Sequence, residues 1–454
     1  MKIVIAGAGR VGLSIAHELV KENHNITIIE GNNEKQKEVG NSLDVLTILG
    51  NAASYDVLME AGVKNADLLI AVTREDEINL LCCLAARKMG VPHTIARVRN
   101  SEYYKQAAFL NEELGLSMTI NPEEETANEI SRILRFPVAT KVEAFAGSKA
   151  ELIEIKVSPE SALNGVTMSS LRSNFGNVLI CAVKRDKEVF IPRGDYVIRA
   201  GDKLNVVGSY REINQLVKKV SKKHREPKKI MLIGGGEIAY YLIRKLADTN
   251  MAIKIIEKNK AECARLKDIF PKVSCVYGHG NDPELLNEEG LEVADAFVAI
   301  TDDDDDNIIS SMYALSSDVG KVITKIKESK IINILSGDQL DSIVQPASIA
   351  TQRVIRYVRS MQNAYDQSGI DAMYYLFEQK VEIIEFKINE KFQFDNIPLK
   401  DLDVAQGAII ASIIHNGQCI IPDGEDVIHS GDIVILATTR NGVIALEDVV
   451  EAKL

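Results

Sequence analysis

Two glycine-rich loops, Gly7-Ala8-Gly9-Arg10-Val11-Gly12 and Gly234-Gly235-Gly236-Glu237-Ile238-Ala239, hold the residue types with the clearest chemistry in this chain. Such a loop between a strand and a helix cradles phosphates. In the first, Gly7 permits the tight turn, Gly9 lets the backbone approach a pyrophosphate, and Gly12 allows close helix–strand packing. The helix opening near Arg10 then aims its free amides at the phosphates. Glu30 and Glu257 follow at matching distances. A carboxylate at the end of the second strand, as Glu30 is, accepts both ribose hydroxyls and repels a 2′-phosphate, which disfavours NADP. The pattern occurs twice in the right context and predicts nucleotide binding.

Arg97-Val98-Arg99 closes the fifth apolar run. Residues two apart on a strand share a face, so both guanidiniums are expected to emerge toward the ligand crevice. Two forked cations suit a polyphosphate better than a nicotinamide ring, which points to ATP or ADP. The second half carries Lys325 and Lys327 there, charged but without the fork, and Glu237 where the first loop has Arg10. A carboxylate repels phosphate, so the second cradle is expected to be weaker or to take a different nucleotide. Asp302 to Asp306 is a run of five carboxylates that could gather a divalent cation. The plainer reading is solvated acids complementing the dipole of a helix that starts near Asn307, and no metal is expected.

No catalytic constellation emerges. The seven histidines lack metal spacing, His17 on the first helix is expected to be packed, and no serine or cysteine sits on a nucleophile elbow. A dehydrogenase spends its second domain on substrate, whereas this chain spends it on another nucleotide fold. Binding without turnover is the simpler reading, and an NAD-dependent oxidoreductase is the rival.

The elements that must position these residues are duplicated as well. Gly50-Asn51 matches Gly280-Asn281, Thr73 with Asn79 matches Thr301 with Asn307, and the Gly201-Asp202 turn matches Gly431-Asp432, at nearly constant displacement. That is one ancestral unit copied whole. Apolar runs at Ile3–Ala6, Ile26–Ile29, Val45–Leu49, Leu68–Val72, Thr94–Val98 and Met118–Ile120 alternate with helical patterns, as in a parallel Rossmann sheet covered on both faces. A helix is expected from Pro122 to near Phe136, with Glu123, Glu124 and Glu125 in its first turn. Shorter strands follow, at Glu151–Val157, Val178–Val183, Glu188–Ile191 and Lys203–Val207. The fold class is therefore α/β, two tandem units each of a Rossmann-type sheet and a small α+β domain. The expected boundaries are 1–138, 139–222, a basic linker at 223–229 within the lysine-rich stretch Lys218 to Lys229, 230–369 and 370–454. Each of these four domains is large enough for its own core.

At 454 residues and a formal charge of −12, the chain lacks the basic surface of a general nucleic-acid binder. Its six cysteines have no CxxC spacing and read as reduced, buried thiols of a cytosolic protein. No apolar run approaches the roughly 18 residues of a membrane span.

Taken together, Lys2 to Gly12, Gly50-Asn51-Ala52, Ala71-Val72-Thr73 with Asp76, Glu77 and Asn79, Arg97-Val98-Arg99 and the two Gly-Asp turns resemble the tandem RCK family. Its members are cytosolic regulatory subunits of Trk-type bacterial potassium uptake systems. The resemblance covers essentially the whole chain. It implies RCK-N Rossmann domains followed by RCK-C domains, binding of NAD(H) and ATP/ADP, and no enzymatic activity. It also implies a homo-oligomeric ring, a tetramer of two-unit chains, lying on the cytoplasmic face of the inner membrane and gating a potassium-conducting transmembrane subunit. Carried over by position, the first site is Gly7, Ala8, Gly9, Arg10, Val11, Gly12, Glu30, Gly50, Asn51, Ala52, Thr73, Asn79, Arg97 and Arg99. The second is Gly234, Gly236, Glu257, Gly280, Asn281, Thr301 and Lys325. A regulator of another cation channel or antiporter would share these features.

Overall fold

The computed structural model describes residues 1–220, 227–335, 339–366, 370–377, 380–390, 392–440 and 442–452. The first unit runs β1 (Lys2–Ala6), α1 (Arg10–Lys21), β2 (Asn25–Glu30), α2 (Asn33–Ser42), β3 (Leu46–Leu49), α3 (Tyr55–Glu60), β4 (Leu68–Ala71), α4 (Asp76–Lys88), β5 (His93–Arg97), α5 (Ser101–Tyr104), α6 (Ala107–Leu114), β6 (Met118–Ile120) and α7 (Pro122–Arg135). Its six strands are parallel in the order β3-β2-β1-β4-β5-β6. Helices cover both faces, and every residue of β4 is buried, which is why these strands read as unbroken apolar runs. The order reverses at β1, and the crevice beyond its C-terminal end is where ligands of such sheets bind. At the far end, the Asn121 side chain accepts from Glu124 N–H at 3.0 Å and Pro122 takes the first turn of α7.

The first small domain comprises β7 (Ala139–Phe145), β8 (Ala150–Lys156), α8 (Met168–Phe175), β9 (Leu179–Arg185), β10 (Glu188–Phe190), β11 (Lys203–Gly208) and α9 (Tyr210–Val220), with an antiparallel sheet ordered β10-β9-β11-β8-β7. Strand β7 was not anticipated, because only Ala139, Val142 and Phe145 of this edge strand are buried, three residues apart across a bulge, and that spacing is not a strand's alternation. The Gly-Asp turn acquires a reason here. Gly201 has φ +92°, and the buried Asp202 accepts from Arg199 N–H at 2.9 Å, Tyr196 O–H at 2.7 Å and, bidentately, the Arg185 guanidinium at 2.7 Å.

The second unit repeats the scheme: β12 (Lys229–Ile233), α10 (Glu237–Leu246), β13 (Ala252–Glu257), α11 (Lys260–Ile269), β14 (Ser274–Tyr277), α12 (Pro283–Glu288), β15 (Ala296–Ala299), α13 (Asp304–Ser316), β16 (Lys321–Lys325), α14 (Ser329–Ile334), β17 (Ser342–Val344) and α15 (Pro346–Asp366). Its sheet order, β14-β13-β12-β15-β16-β17, mirrors the first. The second small domain has β18 (Ile370–Leu376), β19 (Val381–Lys387), β20 (Leu402–Val404), β21 (Ala408–His415), β22 (Gln418–Ile420), β23 (Ile433–Thr438) and β24 (Val450–Ala452). A β20–β24 ribbon with short 3-10 turns stands where the first has α8 and α9.

Alongside clusters confined to single domains, hydrophobic packing crosses the expected domain boundaries. The last helix of each Rossmann unit packs on the first helix of the other, α7 on α10 and α15 on α1. One hydrophobic core therefore joins α7, the first small domain and the second Rossmann sheet, through residues such as Ile130, Val142, Leu232 and Ile238. A second takes Ala350, Val354 and Val358 of α15 into the first Rossmann unit. The two small domains share a third, with Phe145 and Leu152 against Ile383 and Ile435. Burying apolar helix faces between units removes more surface from water than four isolated domains would. Ion pairs line the same seams: Arg359 with Glu22, Arg353 with Glu125, and Lys245 with Glu124 at 3.5 Å.

Two smaller expectations fail. His17 lies on the exposed side of α1, with its ring beside Glu18 at 3.4 Å, because the buried stripe is Val11, Ile15, Ala16 and Leu19. The lysine-rich stretch is not all linker: Lys218 and Lys219 sit in α9, whose other face is apolar, and Lys229 opens β12. Residues 223–226 of the expected linker lie outside the described residues.

Candidate functional site

The first crevice, about 560 Å³, is lined by Gly7, Gly9, Glu30, Gly50, Asn51, Ala52, Thr73 and Arg97, together with Lys35 and Arg74. Gly7 has φ +104°, and a Cβ there would meet Thr73 N at 2.9 Å; a Cβ on Gly12 would fall 2.0 Å from the Gly7 carbonyl oxygen. In front of Gly9 there is open space, the position a phosphate needs. The Glu30 carboxylate accepts from Ala8 N–H at 2.8 Å and Asn32 N–H at 2.9 Å, so it fixes the loop to the start of α2. Glu257 does the same in the second half, accepting from Gly235 N–H at 2.6 Å and Asn259 N–H at 2.7 Å.

Three expected contact residues lie beneath the crevice surface. Ala8 and Gly12 are buried behind the loop. Asn79 is fully buried, and its Oδ1 accepts from Thr73 N–H and Oγ1–H at 2.8 and 2.7 Å while its Nδ2 donates to the Arg97 carbonyl at 3.0 Å. It positions Thr73 and Arg97 instead of touching a ligand. Asn307 repeats this geometry with Thr301 and the Lys325 carbonyl.

The second crevice is not a separate pocket. It opens into a cleft of about 890 Å³ between the two Rossmann units, lined on one side by Gly9, Arg10, Val11, Arg97, Arg99 and Glu123. On the other side stand Gly234, Gly236, Glu237, Glu257, Gly280, Thr301, Asp302, Lys325 and Lys327. Arg97 faces both cavities, whereas Arg99 faces only the cleft, where its Nη2 donates to the Arg74 carbonyl at 3.1 Å. The shared crevice expected for the arginine pair is thus divided, because Arg99 lies past the end of β5 and leaves the strand's alternation. Asn281 turns away, donating to Asp306 Oδ1 at 2.7 Å.

Cations from both units meet here with too few carboxylates to pair them. Arg97 Nε and Glu123 Oε2 are buried without a hydrogen-bond partner. Burial and the neighbouring Arg99 depress the Arg97 guanidinium, against Glu123 and Asp76. Burial pushes the Glu123 carboxyl up, against the pull of Arg97, Arg99 and Lys325. Lys325 is held down by burial and partly restored by Asp302 at 3.2 Å. Arg10 reaches across to Glu328 at 3.7 Å. Glu237 is raised by burial, although Arg265 stands 3.7 Å away. Sequence reasoning missed Glu123, read there as a dipole acid. Only the meeting of the units turns it toward the guanidiniums.

The aspartate run has structural employment. The helix begins at Asp304, earlier than expected, with Asp303 as its cap, accepting from Asp305 and Asp306 N–H. Asp304 accepts from Lys327 and Glu328 N–H at 2.9 Å. Among the described residues no cluster of His, Cys, Asp or Glu could hold a metal ion.

Two cradled Rossmann units, each with a small antiparallel domain and a cleft between them, place this chain in the tandem RCK class of fold. A crystal structure of the GsuK RCK domain shares it, with a TM-score of 0.63 at 16% identity over 96% of this chain and 92% of that one. The GsuK channel bound to NAD matches with a TM-score of 0.63, also at 16% identity, over 96% of this chain and 76% of that one. Residues 3–122 and 230–346 match the TrkA-N domain, and residues 152–221 and 383–450 match the TrkA-C domain. The chain is 32% identical to the Trk system potassium uptake protein TrkA homolog 1 of Methanosarcina mazei, over 98% of this chain and 99% of that protein. It is 30% identical to the Trk system potassium uptake protein TrkA of Halomonas elongata, over 96% and 95%. The chain belongs to the TrkA family.

Proposed function

We propose that the protein is the nucleotide-binding regulatory subunit of a Trk-type potassium uptake system, gating a potassium-conducting membrane partner without turning its ligands over. The observation that carries this reading is the cleft in which Arg97 and Arg99 of one unit face Lys325 and Lys327 of the other, with a glycine cradle on each side. An anion held there touches both units at once, so its charge biases their relative angle. NAD(H) and ATP/ADP are the ligands: Glu30 selects an unphosphorylated ribose, and the cations distinguish a terminal phosphate from a nicotinamide. The relatives' names supply potassium uptake, and no described helix is long and apolar enough to cross a membrane, in keeping with a peripheral subunit on the cytoplasmic face.

A nucleotide opens a gate only if it binds the open arrangement more tightly, and a tenfold preference is worth about 1.4 kcal/mol. Four such sites in a tetrameric ring supply about 5.5 kcal/mol, enough to move an equilibrium from about 1:99 to 99:1. Calorimetric titration with ATP, ADP, NADH and NAD tests the reading. Tight binding with unchanged ligand supports it; consumption of NADH with an added substrate, or no binding by any of the four, refutes it.

A further inference from the structure

Cys263 on α11 and Cys275 on β14 are both buried, and their sulfurs lie 2.9 Å apart. That separation falls between the ~2.05 Å of a disulfide and the roughly 3.5–4 Å of ordinary non-bonded contact. The duplication shows what this position does. Cys263 and Cys275 occupy the places held in the first unit by Gln36 on α2 and Thr47 on β3: each helix follows its asparagine cap, Asn32 or Asn259, and each strand residue pairs with the equivalent isoleucine, Ile28 or Ile255. There, Gln36 Nε2 donates to Thr47 Oγ1 at 2.7 Å and to its carbonyl at 3.3 Å. The fold thus ties this helix to this edge strand in both units, with an amide–hydroxyl bond in one and a thiol pair in the other.

We infer that Cys263 and Cys275 are a modification site, a dithiol that a small-molecule disulfide such as oxidised glutathione converts into an intramolecular disulfide. Two S–H bonds break and one S–S bond forms; the two electrons and two protons pass to the oxidant, which leaves as two thiols. The reaction runs through a mixed disulfide on one sulfur, which the other, already in contact, resolves. Burial, reinforced by Cys263, pushes the Cys275 thiol up to about 12, so few thiolates exist at neutral pH and closure is slow. Its rate rises about tenfold per pH unit through the neutral range, as the thiolate fraction does.

The bridge bears on the second crevice. Cys263 Sγ–H donates to the Glu257 carbonyl at 3.8 Å, and the same helix carries Glu262 and Arg265, of which Arg265 holds Glu237 at the mouth of the cleft. Drawing the sulfurs together pulls α11 toward β14 and shifts these groups. This consequence rests on the nucleotide-binding reading, whereas the bridge itself does not.

The test oxidises the purified full chain with oxidised glutathione, alkylates remaining thiols after denaturation, and maps the peptides. The expected result is one Cys263–Cys275 linkage. Separate glutathione adducts on the two residues, or both recovered as free thiols while the more accessible Cys419 is modified, overturn the inference. Cys263→Ser abolishes the linkage. If that variant folds poorly, Cys263→Gln with Cys275→Thr transplants the first unit's hydrogen bond and gives a folded chain without the linkage. NADH and ATP titrations of the oxidised and reduced chain then show a severalfold change in affinity that the double variant lacks. Linkage without that change leaves the site standing and overturns only its coupling to the crevice.

Discussion

Arg97→Ala gives the sharpest separation between a polyphosphate site and an ordinary dinucleotide site. The Arg97 backbone is secured independently of its side chain, since Asn79 holds its carbonyl and β5 its strand pairing, so truncation leaves the crevice in place. What is lost is a half-buried guanidinium that lines both cavities, where it can meet a ligand's phosphates. A charge-assisted hydrogen bond to such a group is worth about 1.5–3 kcal/mol, which converts to a loss of roughly 10- to 150-fold in affinity. The loss falls on ATP, which carries negative charge beyond the pyrophosphate, and NADH loses only a few-fold. Glu123 remains beside the site, so adding Glu123→Gln removes the carboxylate repulsion of phosphate that is left and restores some of the ATP affinity. Calorimetry with both ligands at two salt concentrations is the assay, and Glu30→Ala, expected to weaken both ligands, is the control. Equal losses of ATP and NADH in Arg97→Ala would refute the polyphosphate argument.

Three further outcomes follow from the same geometry. Gly12→Ala places a methyl 2.0 Å from the Gly7 carbonyl and is expected to destabilise the first unit by about 3 kcal/mol or more, whereas Gly9→Ala meets nothing and should fold normally while losing nucleotide affinity; thermal melts and titrations of the two separate fold from function. Burial and Glu143 push the Glu129 carboxyl up to about 8, against Arg132 and Lys141. The folded chain therefore binds more protons than the unfolded between about pH 4.5 and 8, and stability falls as pH rises across that window by up to about 5 kcal/mol. Urea titrations should show Glu129→Gln flattening the slope. Arg185→Ala strips the buried Asp202 of its guanidinium and is expected to cost about 3 kcal/mol, measured by the same denaturation.

Much of the architecture could be read directly. The glycine loops, their acidic partners and the apolar runs are local signals: a φ above zero at Gly7 and strands covered on both faces each leave a mark within a few residues. Other elements left weak marks. Strand β7 buries only every third residue across a bulge, and the ribbon in place of helices in the second small domain lies in a stretch whose apolar spacing suits either form. Asn79 was visible as a repeated residue, but its role depends on bonds to Thr73 and Arg97 that arise only when α4 packs over β5.

The sequence by itself determined that a nucleotide-binding unit was copied, where each cradle lies, and that the second cradle departs from the first at Glu237, because turns, strand burial and helix starts are set by neighbouring residues. Tertiary structure alone decided that the two cradles share a cleft, that Glu123 stands among cations from both units, and that Cys263 meets Cys275. The physical reason is the exchange of helices. α7 carries its apolar stripe onto α10, and α15 carries its own onto α1. That burial fixes the angle between two sheets whose residues are more than two hundred positions apart, and no local pattern encodes an angle.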